Sequence, residues 1–257
     1  MDNKRIHTAH SGCWWMQAQL KDYTINFDYQ DVKTFFEVDT MPESVVNPQI
    51  MVSSLDDIMD DHIYNVVMSM EWAVFEDYRE ELVFNGFAVE LLCLLNYNSK
   101  GQIFCMRKDL PLLMCGESKK VKPNLCIINT DQWGIILLIE EDKHLSNVKA
   151  RAQLVAEVIA CFTYNNGCRQ HTELPELSHM VIPSVTLVGT SPNFFKILVT
   201  RDLEYAVCHG VAPKEKTIIP THRPEVLRPG HFNEEGMYPL DNRQAILQCY
   251  EAFKKFL

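Results

Sequence analysis

Gly134-Ile135-Ile136-Leu137-Leu138-Ile139-Glu140-Glu141-Asp142-Lys143, preceded by Pro123-Asn124-Leu125-Cys126-Ile127-Ile128-Asn129, is the stretch on which the fold turns. Its second run is apolar through the middle, as expected of a strand buried on both faces, and it ends abruptly in four charged residues. Side chains alternate along a strand, so Glu141 and Lys143 are expected on one face and Glu140 and Asp142 on the other. If the two runs pair as neighbours, Asn124 comes to lie beside Glu141.

Outward from this pair, Val83, Phe87, Leu91, Leu94 and Leu95 recur at the spacing of one helical face and predict a helix from about residue 76. Glu90 lies within about 20° of Val83 on that stripe, a carboxylate aimed inward or standing at its wet edge. Strands are expected at Gln102 to Arg107, Leu110 to Cys115, Leu125 to Asn129 and Gly134 to Lys143, with Lys119, Lys120 and Lys122 in a solvated loop. Asn147 to Tyr164 suits a helix ended by Asn165-Asn166-Gly167. Val185 to Thr190 and Phe194 to Thr200 form a hairpin about Ser191-Pro192-Asn193. A last helix starts at Asp241 or Asn242 and turns Ile246, Leu247, Tyr250, Phe253 and Leu257 inward. The expected class is therefore α/β (α+β). Two regions are expected, an acidic, mainly helical one over 1–75, with a possible strand at Tyr23 to Phe27, and a core over 76–257.

The 257 residues are 47% apolar, enough for a sizeable core. No apolar stretch approaches the roughly 20 residues that span a bilayer. Polar residues stand where a secretory leader carries its apolar segment, so an intracellular location, cytoplasm or nucleus, is expected. Nine scattered cysteines without a C-x-x-C pair fit neither a disulfide framework nor a zinc ribbon. The net charge of −10 argues against a nonspecific nucleic-acid coat, yet it is uneven. Glu37 to Glu90 holds thirteen acids and one base, whereas Gly101 to Arg151 holds eight bases and six acids. An acidic N-terminal part that contacts a basic protein partner, beside a phosphate-friendly centre, is one reading of this pattern. Two ordinary solvated surfaces are the other.

Glu141, Asn124 and Glu90 would together offer oxygen ligands near one amine, Lys143. Hard Mg²⁺ or Mn²⁺ takes such ligands, and a divalent ion beside a lysine suits phosphodiester hydrolysis. E-x-K alone is a weak signal.

The order of elements, with Pro123-Asn124, Glu141-Asp142-Lys143 and Gln153 in the next helix, resembles the PD-(D/E)XK nuclease superfamily, whose core is αβββαβ, restriction-endonuclease-like. The chain more closely resembles a largely uncharacterised fungal family with that core, through Cys115-Gly116, Glu141-Asp142-Lys143, Gln153-Leu154-Val155-Ala156-Glu157, Asn165-Asn166, Gly189-Thr190, Phe195-Lys196, Asp241-Asn242-Arg243 and Tyr250-Glu251-Ala252-Phe253-Lys254. The resemblance runs from about Glu81 to the C-terminus. It implies a nuclease acting on DNA or RNA, with Glu141 as metal ligand, Lys143 as the water-orienting or charge-stabilising amine, Glu90 as accessory ligand and Gln153 as a helper that holds the site or the substrate.

One departure matters. The superfamily's metal-binding Asp after Pro is Asn124 here, and a missing unit charge at 4 Å is about 4 kcal/mol at an effective dielectric near 20. Weak metal binding is the expectation. Three readings stand open: a natural pseudonuclease that binds nucleic acid or protein, a deliberately silenced enzyme, or a site in which Glu117 or Asp131 replaces the lost ligand.

Overall fold

The computed structural model describes residues 9–43, 46–52, 54–75, 81–141 and 148–257, with 75 and 81–85 in backbone only. Its elements run α1 (Gln17–Asp22), β1 (Ile25–Tyr29), α2 (Val32–Phe36), α3 (Asp61–Phe75), α4 (Glu81–Leu94), β2 (Gln102–Met106), β3 (Leu110–Met114), β4 (Glu117–Val121), β5 (Leu125–Asn129) and β6 (Ile135–Glu141). There follow α5 (Val148–His171), β7 (His179–Val188), β8 (Ser191–Thr200), α6 (Arg201–His209), β9 (Thr217–His222), α7 (Phe232–Glu235) and α8 (Leu240–Phe253), with short 3₁₀ turns between some of them.

Seven strands form one mixed sheet in the order β1-β9-β8-β7-β6-β5-β2. β2, β5 and β6 make an antiparallel meander, α5 crosses over, and β7 returns parallel to β6. Alternation along the strands feeds two cores, as a sheet covered on both faces requires. Leu125, Ile127, Leu137, Ile139 and Phe194 pack with α2, α3, α4 and α8 on one face. Cys126, Ile128, Leu138, Phe195 and Ile197 pack with α1, α5 and α6 on the other.

The N-terminal strand lies at Ile25–Tyr29, two residues beyond the expected stretch, and pairs parallel with β9 as the sheet edge. β3 leaves the sheet to form a separate hairpin with β4. The lysines at 119 and 120 thus belong to a strand and not to a loop. The turn between β3 and β4 is Cys115-Gly116, both at positive φ (53° and 79°), the backbone form that tight hairpins favour. Main-chain N–H groups of both turn residues donate to the α6 carbonyls of Val207 and Cys208.

Three boundaries differ from expectation. α5 continues through Asn165-Asn166-Gly167 to His171, because the two buried asparagine side chains bond neighbouring segments instead of competing for their own helix backbone. The β7–β8 turn is Gly189-Thr190, with Gly189 at φ +54°, while Ser191-Pro192-Asn193 lies inside β8 opposite Val188, Leu187 and Thr186. Helix α8 starts at Leu240, and Asn242 and Arg243 are buried in it. The Arg243 guanidinium donates to the carbonyls of Met237, Tyr238 and Ile50. All nine cysteines are free thiols. No described helix is long and apolar enough to cross a membrane.

Candidate functional site

The antiparallel register of β5 and β6 matches Leu125 with Ile139, which sets Asn124 against the Glu140-Glu141 end of β6. Two hydrogen bonds close the junction. The Asn124 main-chain N–H donates to Glu140 Oε2 at 3.1 Å, and Asn124 Oδ1 accepts from the Glu141 main-chain N–H at 3.3 Å. The expected neighbourhood of Asn124 and Glu141 is therefore present, through the amide oxygen of one and the backbone of the other.

Glu140 and Glu141 part to opposite faces. Glu140 shares the parity of Leu138 and faces α5, where Gln153 Nε2 donates to Glu140 Oε1 at 2.5 Å and to Glu157 Oε1 at 3.0 Å. Gln153 and Glu157 are one turn apart, so a single face of α5 presents both to the strand. Both carboxyls are buried, and Glu157 Oε2 has no hydrogen-bond partner. Burial, then the neighbouring Glu157 charge, holds the Glu140 carboxyl well above the usual carboxylate range. Burial pushes Glu157 up to about 8, against the opposing pull of the hydrogen bond from Gln153. Both shifts favour the protonated form, which eases the burial of two acids side by side in a low-dielectric interior.

Glu141 shares the parity of Ile139 and projects to the face of α4 and α8; it is half-buried, with one carboxylate oxygen fully enclosed. Glu90 is on α4, the helix that packs on the same face. Its carboxylate meets His62 Nε2 at 3.3 Å and is 42% exposed, so it stands at the wet edge of the stripe. Lys143 and Asp142 fall outside the described residues. Of the residues singled out in the sequence, the fold thus brings Asn124, Glu141 and, through Glu140, Gln153 into one junction.

No protein-family model matches the chain, and no curated protein does. The site therefore rests on its own geometry. Asn124 Oδ1 and the Glu141 carboxylate are oxygen donors, which suits a hard divalent ion in kind, but they carry a single negative charge between them. No group of three or more His, Cys, Asp or Glu side chains converges among the described residues. Asp131 sits at the far end of β5, two residues past Asn129, and Glu117 is held by Lys119 on the β3–β4 hairpin. Neither lies beside Asn124.

Sequence reasoning missed Glu140 and Glu157. The signal was there in part. Glu157 interrupts the otherwise apolar run of Val155, Ala156, Val158 and Ile159, and Glu140 follows Leu138 on the face that the next helix must cover.

Proposed function

We propose that the chain is a divalent-metal-dependent phosphodiester hydrolase of the PD-(D/E)XK type whose metal site is weakened by Asn124. The observation that carries this reading is the hydrogen-bonded junction of Asn124 with Glu141 at adjacent strand ends. It is supported by the order α4, β2, β5, β6, α5, β7, an αβββαβ arrangement into which the β3–β4 hairpin is inserted. Asn124 Oδ1 and Glu141 would hold Mg²⁺ or Mn²⁺, while Glu90, paired with His62, would join them as accessory ligand only by leaving that partner. The bound ion would polarise the phosphate and acidify a water. Gln153 fixes Glu140, and Glu140 in turn fixes the Asn124 backbone, so the helper role passes through two hydrogen bonds.

The test is cleavage of labelled DNA and RNA with Mg²⁺ or Mn²⁺ by the full chain and by Asn124→Asp. The restored charge should raise the rate at least about tenfold, the equivalent of a screened 1.4 kcal/mol, and Glu141→Gln in that background should abolish it. Should neither protein cut either substrate, the hydrolase reading fails. A second reading, a pseudonuclease that binds nucleic acid or protein, is favoured by Asn124 itself, since its amide leaves the junction with the Glu141 carboxylate alone as charged ligand. It predicts binding without cleavage even after Asn124→Asp.

A further inference from the structure

The strand registers carry the candidate site's sheet end across to the opposite edge. Glu141 ends β6 beside the end of β7, β8 begins there at Ser191, and β9 and β1 both finish there at His222 and Tyr29. Tyr29 is thus four strand spacings of roughly 4.8 Å across the sheet from Glu141 and three residues further along β8, a separation of roughly 20 Å or slightly more.

At that rim two arginines and three aromatic rings meet. The Arg151 guanidinium, in the first turns of α5, lies over the rings of Phe27 at 5.5 Å and Tyr29 at 5.3 Å. Arg223, directly after β9, lies over Phe232 at 4.7 Å and donates to the Asn233 amide at 2.9 Å. Neither arginine has a carboxylate partner among the described residues. Arg151 Nε is buried without a hydrogen-bond acceptor. The Tyr29 ring is 55% exposed. Burial holds Arg223 below its usual range, and the Arg151 charge pushes the same way, so the two cations act on one another. In a protein of net charge −10, two adjacent arginines without a carboxylate partner among the described residues repel one another, and an anion would relieve that repulsion.

We infer that Arg151, Arg223 and Tyr29 form a subsite for single-stranded nucleic acid, the arginines on its phosphates and Tyr29 stacked on an unpaired base. This rests on the phosphodiester reading of the Asn124/Glu141 junction, and it places the strand along the rim from one edge of the sheet to that junction. Guanidinium forks match phosphate oxygens, and an exposed ring beside them accepts any base. A duplex keeps its bases stacked inside and offers nothing to Tyr29.

The experiment is fluorescence polarisation of a labelled oligothymidylate of about 15 nucleotides, within the range of single-strand site sizes, with the full chain in EDTA so that metal and cleavage play no part. Arg151→Gln with Arg223→Gln, which keeps much of each packed stem, should weaken binding about tenfold and lower the salt slope by about 1.4, two phosphates at roughly 0.7 each. Tyr29→Ala should weaken binding about fivefold or more, and Tyr29→Phe should restore it. Lys119→Gln with Lys120→Gln removes the same net charge from β4, off the rim, and should change affinity less than about twofold; a loss equal to that of the arginine variant would mean that net charge alone carries the binding and would overturn the subsite. No binding by the full chain, or unchanged affinity and slope in the arginine variant, or no loss in Tyr29→Ala, would each overturn the subsite. Cleavage by Asn124→Asp is read separately, so either conclusion can fall while the other stands.

Discussion

At the scale of single residues, the pair Glu140 and Glu157 ties the site to pH. Both carboxyls titrate above their unfolded range, so the folded chain binds more protons than the unfolded one between about pH 4.5 and the raised values. Their stabilising contribution is complete below the unfolded carboxylate range and drains away as pH rises toward 8 and beyond. Urea unfolding at pH 5 and pH 8 should show the loss as a slope on the order of 1 kcal/mol per pH unit. Glu157→Gln keeps the shape without the charge, so it should flatten that slope in part and stabilise the protein at pH 8; equal slopes in both proteins would refute the linkage. The half of this arrangement that involves Asn124 and Glu141 was legible, because strand alternation and an antiparallel pairing place them with no knowledge of the helices. The half that involves Glu157 was not. Which face α5 covers decides whether Glu140 meets a carboxyl or water, and that choice is tertiary.

At the scale of elements, the same division recurs. α4, β2, β5, β6 and α8 follow from apolar periodicity because each buries a clear stripe or face. β4, Glu-Ser-Lys-Lys-Val, hides behind its charges, since only Val121 is buried and the rest faces outward. β9 carries Pro220, which reads as a breaker; it is tolerated because pairing with β8 is confined to Thr221 and His222. Helix α5 overruns its expected stop because Asn165 serves the sheet. Its Oδ1 accepts from the Ile135 N–H at 2.7 Å and its Nδ2 donates to the Ile135 carbonyl at 2.8 Å, three residues before β6 begins to pair with β7 at Leu138. Asn165→Leu fills similar volume, strands the Ile135 N–H and leaves its carbonyl only the long contact from Cys161 Sγ at 4.0 Å. The expected cost is about 2–4 kcal/mol, from roughly 1–3 for each buried group left unpaired. It should appear as a lower urea midpoint with an unchanged m-value; a midpoint within error of the parent would mean that water or a neighbour replaces the amide.

At the scale of the whole molecule, the acidic N-terminal third is woven into the sheet and the core. β1 covers the β9 edge, and Phe36 packs edge-on against Phe194 and His222 at centroid distances of 5.9 and 5.0 Å. Phe35 stacks on Phe253 at 6.2 Å. Arg243 reaches from α8 to the Ile50 carbonyl at 2.6 Å, so a residue of the C-terminal helix is satisfied by the N-terminal segment. Removing residues 1–75 would withdraw Phe35, Phe36, Ile50, Ile63, Val66, Val67 and Met70, all buried, from one core. At about 1.5–3 kcal/mol per side chain the loss is on the order of 10 kcal/mol, comparable to the roughly 5–15 kcal/mol by which a domain is stable at all. It would also open a strand edge and orphan part of a buried guanidinium. The shortened chain should therefore lose its near-ultraviolet circular dichroism and melt without cooperativity. A sharp thermal transition in residues 76–257 alone would show instead that the sheet closes without β1, and that the acidic region is an attachment rather than a wall of the fold.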